Sequence, residues 1–334
     1  MAAAPDEDLK AFLTESGLQR AGEAAAWSEL QGGVSSEIWR VDLPGRSICI
    51  KRALAKLKVE AEWRAPVERN ASERAWFETA GAIIPGAAPE LLAHDPARGI
   101  FAMAFLPPTE YPLWKAQLLA GHVDVAFAGA VGDALGRIHR ASAGDARIAA
   151  RFRTDEAFHA LRLEPYLLAT GEKHTYLKAR IQGLVARTAS IHLALVHGDV
   201  SPKNILMGPH GPVFLDAETA WYGDPAFDVA FCLNHLLLKA LLRPREAGLL
   251  QASFEAFDEA YFAHVRWEVP AALEARAASL LPALMLARVD GKSPVEYLDA
   301  PLKAVVRKFA EPRIEAPDEG LGAIYPDWRR ALGV

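Results

Sequence analysis

The chain has 334 residues, 51% hydrophobic and 24% charged, with a formal net charge of -5 and two cysteines. That length exceeds what one compact core usually holds, and the ordinary composition excludes disordered, collagen-like and disulfide-scaffold proteins, so two lobes of unequal size are expected. Mild acidity argues against a nucleic-acid partner, which would call for a basic face.

Met1 to Lys10 carries three acidic residues and no long apolar run, so no targeting peptide is predicted and a cytoplasmic protein is expected. Asn234, His235 and Lys239 interrupt the run Phe231 to Leu242, short of the roughly 20 apolar residues that span a bilayer, so no membrane partner is expected. Cys49 and Cys232 sit among apolar neighbours and read as buried and reduced. Oligomeric state is left open.

In chain order, a helix is predicted from Asp6 to Leu18, then a hairpin from Ser36 to Val41 and Ser47 to Lys51 around Leu43-Pro44-Gly45. A helical pattern runs from Pro66 to about Ala80, and short strands are predicted at Glu90 to His94 and Ile100 to Phe105. A smaller lobe of residues 1–107 would end there. Val125, Phe127, Val131, Leu135 and Ile138 recur at helical intervals within Gly121 to Ala141, weakened by Gly132 and Gly136, and a further helix is predicted over Lys173 to Ala189. Leu193 to Val196 leads into Val196-His197-Gly198-Asp199-Val200-Ser201-Pro202-Lys203-Asn204, a turn over 208–211, and Val213-Phe214-Leu215-Asp216. Helical patterns fill the rest, interrupted at Pro244, Pro270, Pro294 and Pro312, so residues 108–334 should form a larger, mostly helical lobe.

Asp199, Asn204 and Asp216 bring two carboxylates and an amide to one hairpin. Phosphoryl transfer asks little else: a base beside the acceptor hydroxyl and metal ions on the phosphates. The protein-kinase frame of His, Arg, Asp, four residues and Asn, then a metal-binding Asp, is kept by His197, Asp199, Asn204 and Asp216, with Gly198 in place of the Arg. With Gly223-Asp224-Pro225-Ala226-Phe227-Asp228, this His-Gly-Asp pattern resembles the aminoglycoside phosphotransferase superfamily of small-molecule kinases. Seven residues between Asp216 and Asp224 are too few for a peptide-docking loop, which argues against a protein kinase.

The resemblance implies an α+β, protein-kinase-like two-lobe fold with an antiparallel sheet in the N-terminal lobe. It implies an ATP-dependent kinase that moves a γ-phosphoryl group to a hydroxyl of a sugar, aminoglycoside or amino alcohol. The alternative is a non-catalytic nucleotide-binding module. ATP and Mg2+ would be the cofactors. Asp199 would be the catalytic base, while Asn204 and Asp216 would hold the metal. Glu218, in Asp216-Ala217-Glu218, reads as a further ligand or a solvated loop acid. Lys51, in Ile48-Cys49-Ile50-Lys51, would meet the α- and β-phosphates and pair with Glu73 or Glu68. The turn with Gly32, Gly33, Ser35 and Ser36 would cover the phosphates, and Met103 and Phe105 would flank adenine. Asp224 and Asp228 read as structural loop caps.

The Asp216-Ala217-Glu218 run, Lys51-Arg52-Ala53-Leu54 and Glu73-Arg74-Ala75-Trp76-Phe77-Glu78 are similar to the methylthioribose kinase branch. Three acceptor sites stay open: arginines Arg288, Arg329 and Arg330 for a sugar, acids Glu255, Asp258 and Glu259 for an aminoglycoside, or aromatics Trp221, Tyr222 and Trp267 for a choline-like cation.

Overall fold

The computed structural model describes residues 4–30, 36–54, 69–318 and 320–333. The fold is α+β. Its one large sheet is antiparallel, five-stranded and confined to the first third of the chain, and the remainder is mostly helical. The sheet comprises β1 (Ala26–Glu29), β2 (Ser36–Leu43), β3 (Arg46–Ala53), β4 (Leu91–Asp95) and β5 (Ile100–Ala104), ordered β1-β2-β3-β5-β4.

Alternation along β3 and β5 decides which side chains face the site. Ile48, Ile50, Ile100 and Ala102 point to one face, where Leu9, Phe12 and Leu13 of α1 (Glu7–Glu15) close a small separate core with Trp39 and Val41. Cys49, Phe101 and Met103 point to the other face and join the main core through Trp76, Phe77 and Ala80 of α2 (Arg69–Ile83). Lys51, two residues after Cys49, takes that second face, opposite Phe101. Spacings of three, four and seven put Glu73, Trp76, Phe77 and Ala80 on one stripe of α2, so Glu73 is carried inward with the apolar anchors. The division expected at 107 falls in the coil after β5.

The helical part opens with α3 (Trp114–Ala120) and α4 (Val125–Ser142), the latter capped by Asp124, whose carboxylate accepts from the Phe127 amide at 3.0 Å. The glycines that weaken the α4 pattern let a neighbouring helix in. A Cβ on Gly132 would meet the carbonyl oxygen of Phe257 at 2.3 Å, within α10 (Ala247–Phe262), once α5 (Ala146–Arg151), α6 (Asp155–Phe158), α7 (Ala169–Lys173), α8 (Lys178–Ser190) and α9 (Ala226–Leu242) have passed. A π-helix, His159–Leu168, joins α6 to α7.

Two short antiparallel pairs frame the loops: β6 (Ala194–Val196) with β9 (Trp221–Gly223), and β7 (Ile205–Gly208) with β8 (Gly211–Phe214). Helix α9 is mostly apolar and buried on every side from Ala226 to Leu241, with Asp228, Asn234, His235 and Lys239 buried among its apolar residues. The chain ends in α11 (Pro270–Asp290), α12 (Ala300–Glu315) and α13 (Ile324–Leu332). Pro270 opens α11, where its missing N–H is no loss. Pro312, expected to interrupt, lies inside α12: burial of Val306, Phe309, Ala310 and Ile314 outweighs the roughly 3 kcal/mol an interior proline costs. Among the described residues, no helix is long and apolar enough to cross a membrane.

Candidate active site

Lys51 sits at the centre of the site, only 2% exposed. Its Nζ lies 2.6 Å from Glu73 Oε2 and 2.7 Å from Asp216 Oδ1. The second Glu73 oxygen, Oε1, accepts the backbone N–H of Asp216 at 3.1 Å, so one side chain of α2 holds both the lysine and the residue after β8. Asp216 has φ 62°, making it the one non-glycine among the described residues in the left-handed region. Such a conformation persists only where neighbours fix it, here Lys51, Glu73 and the adjacent Leu215 N–H bonded to Asn204 O at 2.8 Å.

Burial alone would favour a neutral lysine, but Asp216, Glu73 and Glu218 outweigh it and hold the ammonium well above its usual range. Asp216 is driven well below the carboxylate range: burial opposes this, and Lys51 and Lys203 overcome it. Glu73 moves the other way, pushed up by burial and by Asp216 against the pull of Lys51. Glu218 is buried at 8% exposure within electrostatic reach of Lys51.

The His197 loop is pinned from below. Both oxygens of buried Asp228 accept loop amides, His197 N–H at 2.7 Å and Gly198 N–H at 2.8 Å. Behind it, His139 of α4 reaches Asp228 at 3.4 Å and the Tyr261 hydroxyl of α10 at 2.9 Å. His197 Nδ1 accepts the Asp199 amide, so its Nε2–H donates to Leu215 O at 3.1 Å and ties the loop to the strand end that carries Asp216. Trp76 meets the imidazole edge-on with centroids 4.7 Å apart. Gly198 has φ 79°, and a Cβ there would lie 2.7 Å from Thr219 Oγ1 and 2.8 Å from Thr219 O. Gly198→Ala is therefore expected to lose more than about 2 kcal/mol in urea unfolding, from left-handed strain plus the clash.

Asp199 is 1% exposed. Its Oδ2 takes two cations, Arg162 Nη2 at 2.8 Å and Lys203 Nζ at 3.0 Å, and its Oδ1 accepts only the Ser201 hydroxyl at 3.3 Å among the described residues. Asn204 donates Nδ2 to Asp199 O at 3.1 Å, which leaves its amide oxygen for another partner. Asp216 and Asn204 offer a carboxylate and an amide oxygen, hard donors that fit a magnesium ion taking further ligands from phosphates and water. Among the described residues no group of three His, Cys, Asp or Glu could hold a metal alone.

Residues 26–267 match the model of the phosphotransferase enzyme family. The chain belongs to that family. It is 28% identical over 254 residues to a methylthioribose kinase of Erwinia tasmaniensis, covering 66% of this chain and 63% of the relative. Against a methylthioribose kinase of Yersinia enterocolitica it is 23% identical over 255 residues, 68% of this chain and 63% of the relative. The chain thus spans less than two thirds of the length of these relatives. In fold it is similar to an amicoumacin kinase in complex with AMP-PNP, Ca2+ and Ami, with TM-score 0.56, 16% identity and coverage of 94% and 95%. It is also similar to a choline/ethanolamine kinase family protein from Mesorhizobium loti, with TM-score 0.53, 17% identity and 98% of each chain covered.

In this phosphotransferase-family chain, Lys51, Glu73, Asp199, Asn204, Asp216 and Glu218 gather at one site. Met103 lies on the Lys51 face of the sheet, and Phe105 follows β5 with the Arg40 guanidinium 4.5 Å over its ring. Ser36 opens β2, buried, its hydroxyl without a partner among the described residues. Gly32, Gly33, Ser35 and Glu68 lie outside the described residues. Of the acceptor candidates, the three aromatics are packed away: Trp221 stacks on Phe158 at 4.2 Å, the Tyr222 hydroxyl bonds Leu193 O at 2.9 Å, and Trp267 packs edge-on against His139 and Tyr261. Arg330 pairs with Asp327 and Arg329 with Gln251, both on or beside α13.

Sequence reasoning missed Arg162 and Lys203, the two cations on Asp199. Lys203 had a signal, lying in the same short loop four residues after Asp199, whereas the π-helix that delivers Arg162 leaves none. Burial would raise the Asp199 carboxyl, but Lys203 and Arg162 outweigh it and lower it. A base works only while ionised, so activity should fall on the acid side as pH drops through this lowered value. Lys203→Met, at a side chain 43% exposed, is expected to move that acid limb to higher pH in a kcat against pH profile.

Proposed function

We propose that this chain transfers the γ-phosphoryl group of ATP to a hydroxyl of a small molecule, a sugar, an aminoglycoside or an amino alcohol. The observation that supports it is the pairing of Lys51 with Asp216 at 2.7 Å and of the Asn204 amide with the Asp199 carbonyl at 3.1 Å, the two pairs linked by the Leu215 N–H bonded to Asn204 O. A bound magnesium–ATP supplies the phosphoryl group and neutralises charge on its oxygens. Lys51 binds the phosphates, positioned by Glu73. Asn204 and Asp216 hold the metal, with Glu218 as a further ligand. Met103 and Phe105 flank the base. Asp199 Oδ1, the oxygen not committed to a cation, orients the acceptor hydroxyl and accepts its proton. A non-catalytic module is the weaker reading, because base, amide and metal acid are all present.

The test is magnesium-dependent ADP release across methylthioribose, other pentoses and hexoses, amino alcohols, aminoglycosides and hydroxy acids. Acceptor-stimulated release with at least one compound is expected. ATP binding with no acceptor turned over would overturn the proposal.

A further inference from the structure

Lys239 lies within α9, the helix buried on every side, and is itself 1% exposed. Its ammonium stands 4.0 Å over the Tyr297 ring, and among the described residues no carboxylate lies within ion-pair distance of it. Glu296, the acid that acts on it electrostatically, is tied to Lys115 and is 66% exposed. Arg288 of α11, 7% exposed, acts on Lys239 electrostatically and likewise has no carboxylate within ion-pair distance among the described residues. Its Nη1 takes all its bonds, to the Tyr166 hydroxyl at 3.3 Å and to the hydroxyl and carbonyl of Ser293, while its Nε is buried without a partner. The Tyr297 hydroxyl is buried and unpartnered too.

Burying a cation without a carboxylate partner is costly, and this chain places two such cations within electrostatic reach of each other, one with an unpartnered Nε. Their place in the fold connects them to the reacting centre. The guanidinium groups of Arg288 and Arg162 sit 5.5 and 5.7 Å from the same Tyr166 ring, and Arg162 is bonded to Asp199. One turn before Lys239, burial together with Arg288, Lys239, Lys203 and Lys115 holds His235 neutral, so it can accept or donate a hydrogen bond without adding charge.

We infer that Lys239, Arg288 and Tyr297 form an anion-binding subsite at the far end of the acceptor site, so that the hydroxyl substrate carries a carboxylate or phosphate group. The inference rests on the phosphoryl-transfer reading for its substrate role, but the subsite itself does not. A guanidinium and an ammonium within electrostatic reach of each other suit an oxyanion, with the unpartnered phenol as a further donor. Burial, reinforced by Lys115 and Arg288 and opposed by Glu296, lowers Lys239 to about 7, so an anion should bind more tightly on the acid side of neutrality.

Binding is tested by titrating sulfate, at constant ionic strength, into the protein saturated with AMP-PNP and magnesium, with the thermal midpoint as readout. A saturable rise is expected in the parent, and Lys239→Met and Arg288→Gln should each shift the half-saturating sulfate at least tenfold upward. A parent that ignores sulfate, or variants that both respond like the parent, would overturn the subsite. Turnover is tested with matched acceptors, glycerate against glycerol and ribose 5-phosphate against ribose; kcat/KM at least tenfold higher for an anionic member is expected, and the pair that shows it separates carboxylate from phosphate. Preference for neutral or cationic acceptors overturns the inference and leaves phosphoryl transfer standing. Sulfate binding with no acceptor turned over would do the reverse, supporting the subsite and rejecting the kinase. The parent comparisons decide the matter even if a variant fails to fold.

Discussion

Asp199→Asn should lower kcat with a true acceptor roughly 100- to 10,000-fold, the range a general base contributes, while ATP affinity measured by equilibrium titration changes little. The asparagine keeps the shape of a side chain that is almost wholly buried, so the Ser201 contact can persist. It removes the negative charge that Arg162 and Lys203 share, and with it the capacity to accept a proton. Lys51, Glu73 and Asp216 do not contact Asp199 through their side chains, which is why nucleotide binding should survive. Unchanged turnover would reject Asp199 as the base.

Lys51→Met should be the most damaging change to both stability and nucleotide affinity. Glu73 is buried and Asp216 has only a quarter of its side chain exposed, and without the ammonium the two carboxyls face each other with no cation between them. Removing one partner of a buried pair costs about 3–5 kcal/mol. Burial already pushes the Glu73 carboxyl up, with Lys51 opposing, so the variant should push it up further. A group whose folded value lies above its unfolded one stabilises at low pH, and that stability is lost as pH rises through the folded value. Urea unfolding at pH 6 and pH 8 should therefore show a larger deficit at pH 8. An equal deficit at both would mean that loss of Lys51 does not push the Glu73 carboxyl further up.

The hairpin β2–β3 was legible because apolar residues alternate there, and the same alternation sends Lys51 to the α2 face. Glu73 was legible, with Glu68 as its alternative, only through family resemblance; its spacing to Trp76, Phe77 and Ala80 is what carries it inward. Strand β1 was missed, since four mostly exposed edge residues carry no buried alternation. The pair β6–β9 is only three residues long on each side and gains its stability from packing, which no local pattern announces. That pairing also explains Trp221: read as a candidate cage for a cation, it is turned under Phe158 once β9 aligns with β6. Arg162 escaped because a π-helix shifts side chains away from the 3.6-residue period on which helical faces are judged, and Pro165 inside it lowers the helical signal further. The charge excess around Lys239 escaped because a lysine in an apolar helix gives no hint from sequence of whether an acid waits opposite.

Asp228 carries the loop on two backbone bonds and is itself steadied through His139 by Tyr261. The chain of contacts runs from the C-terminal end of α10 to the amide beside Asp199, entirely through buried groups. A disturbance at Tyr261, well removed from any reactant, would tilt the peptide that aims the proton acceptor. The rear of the helical part thus works as the mounting of the reaction centre, and damage there should register as slow chemistry before it registers as weak binding.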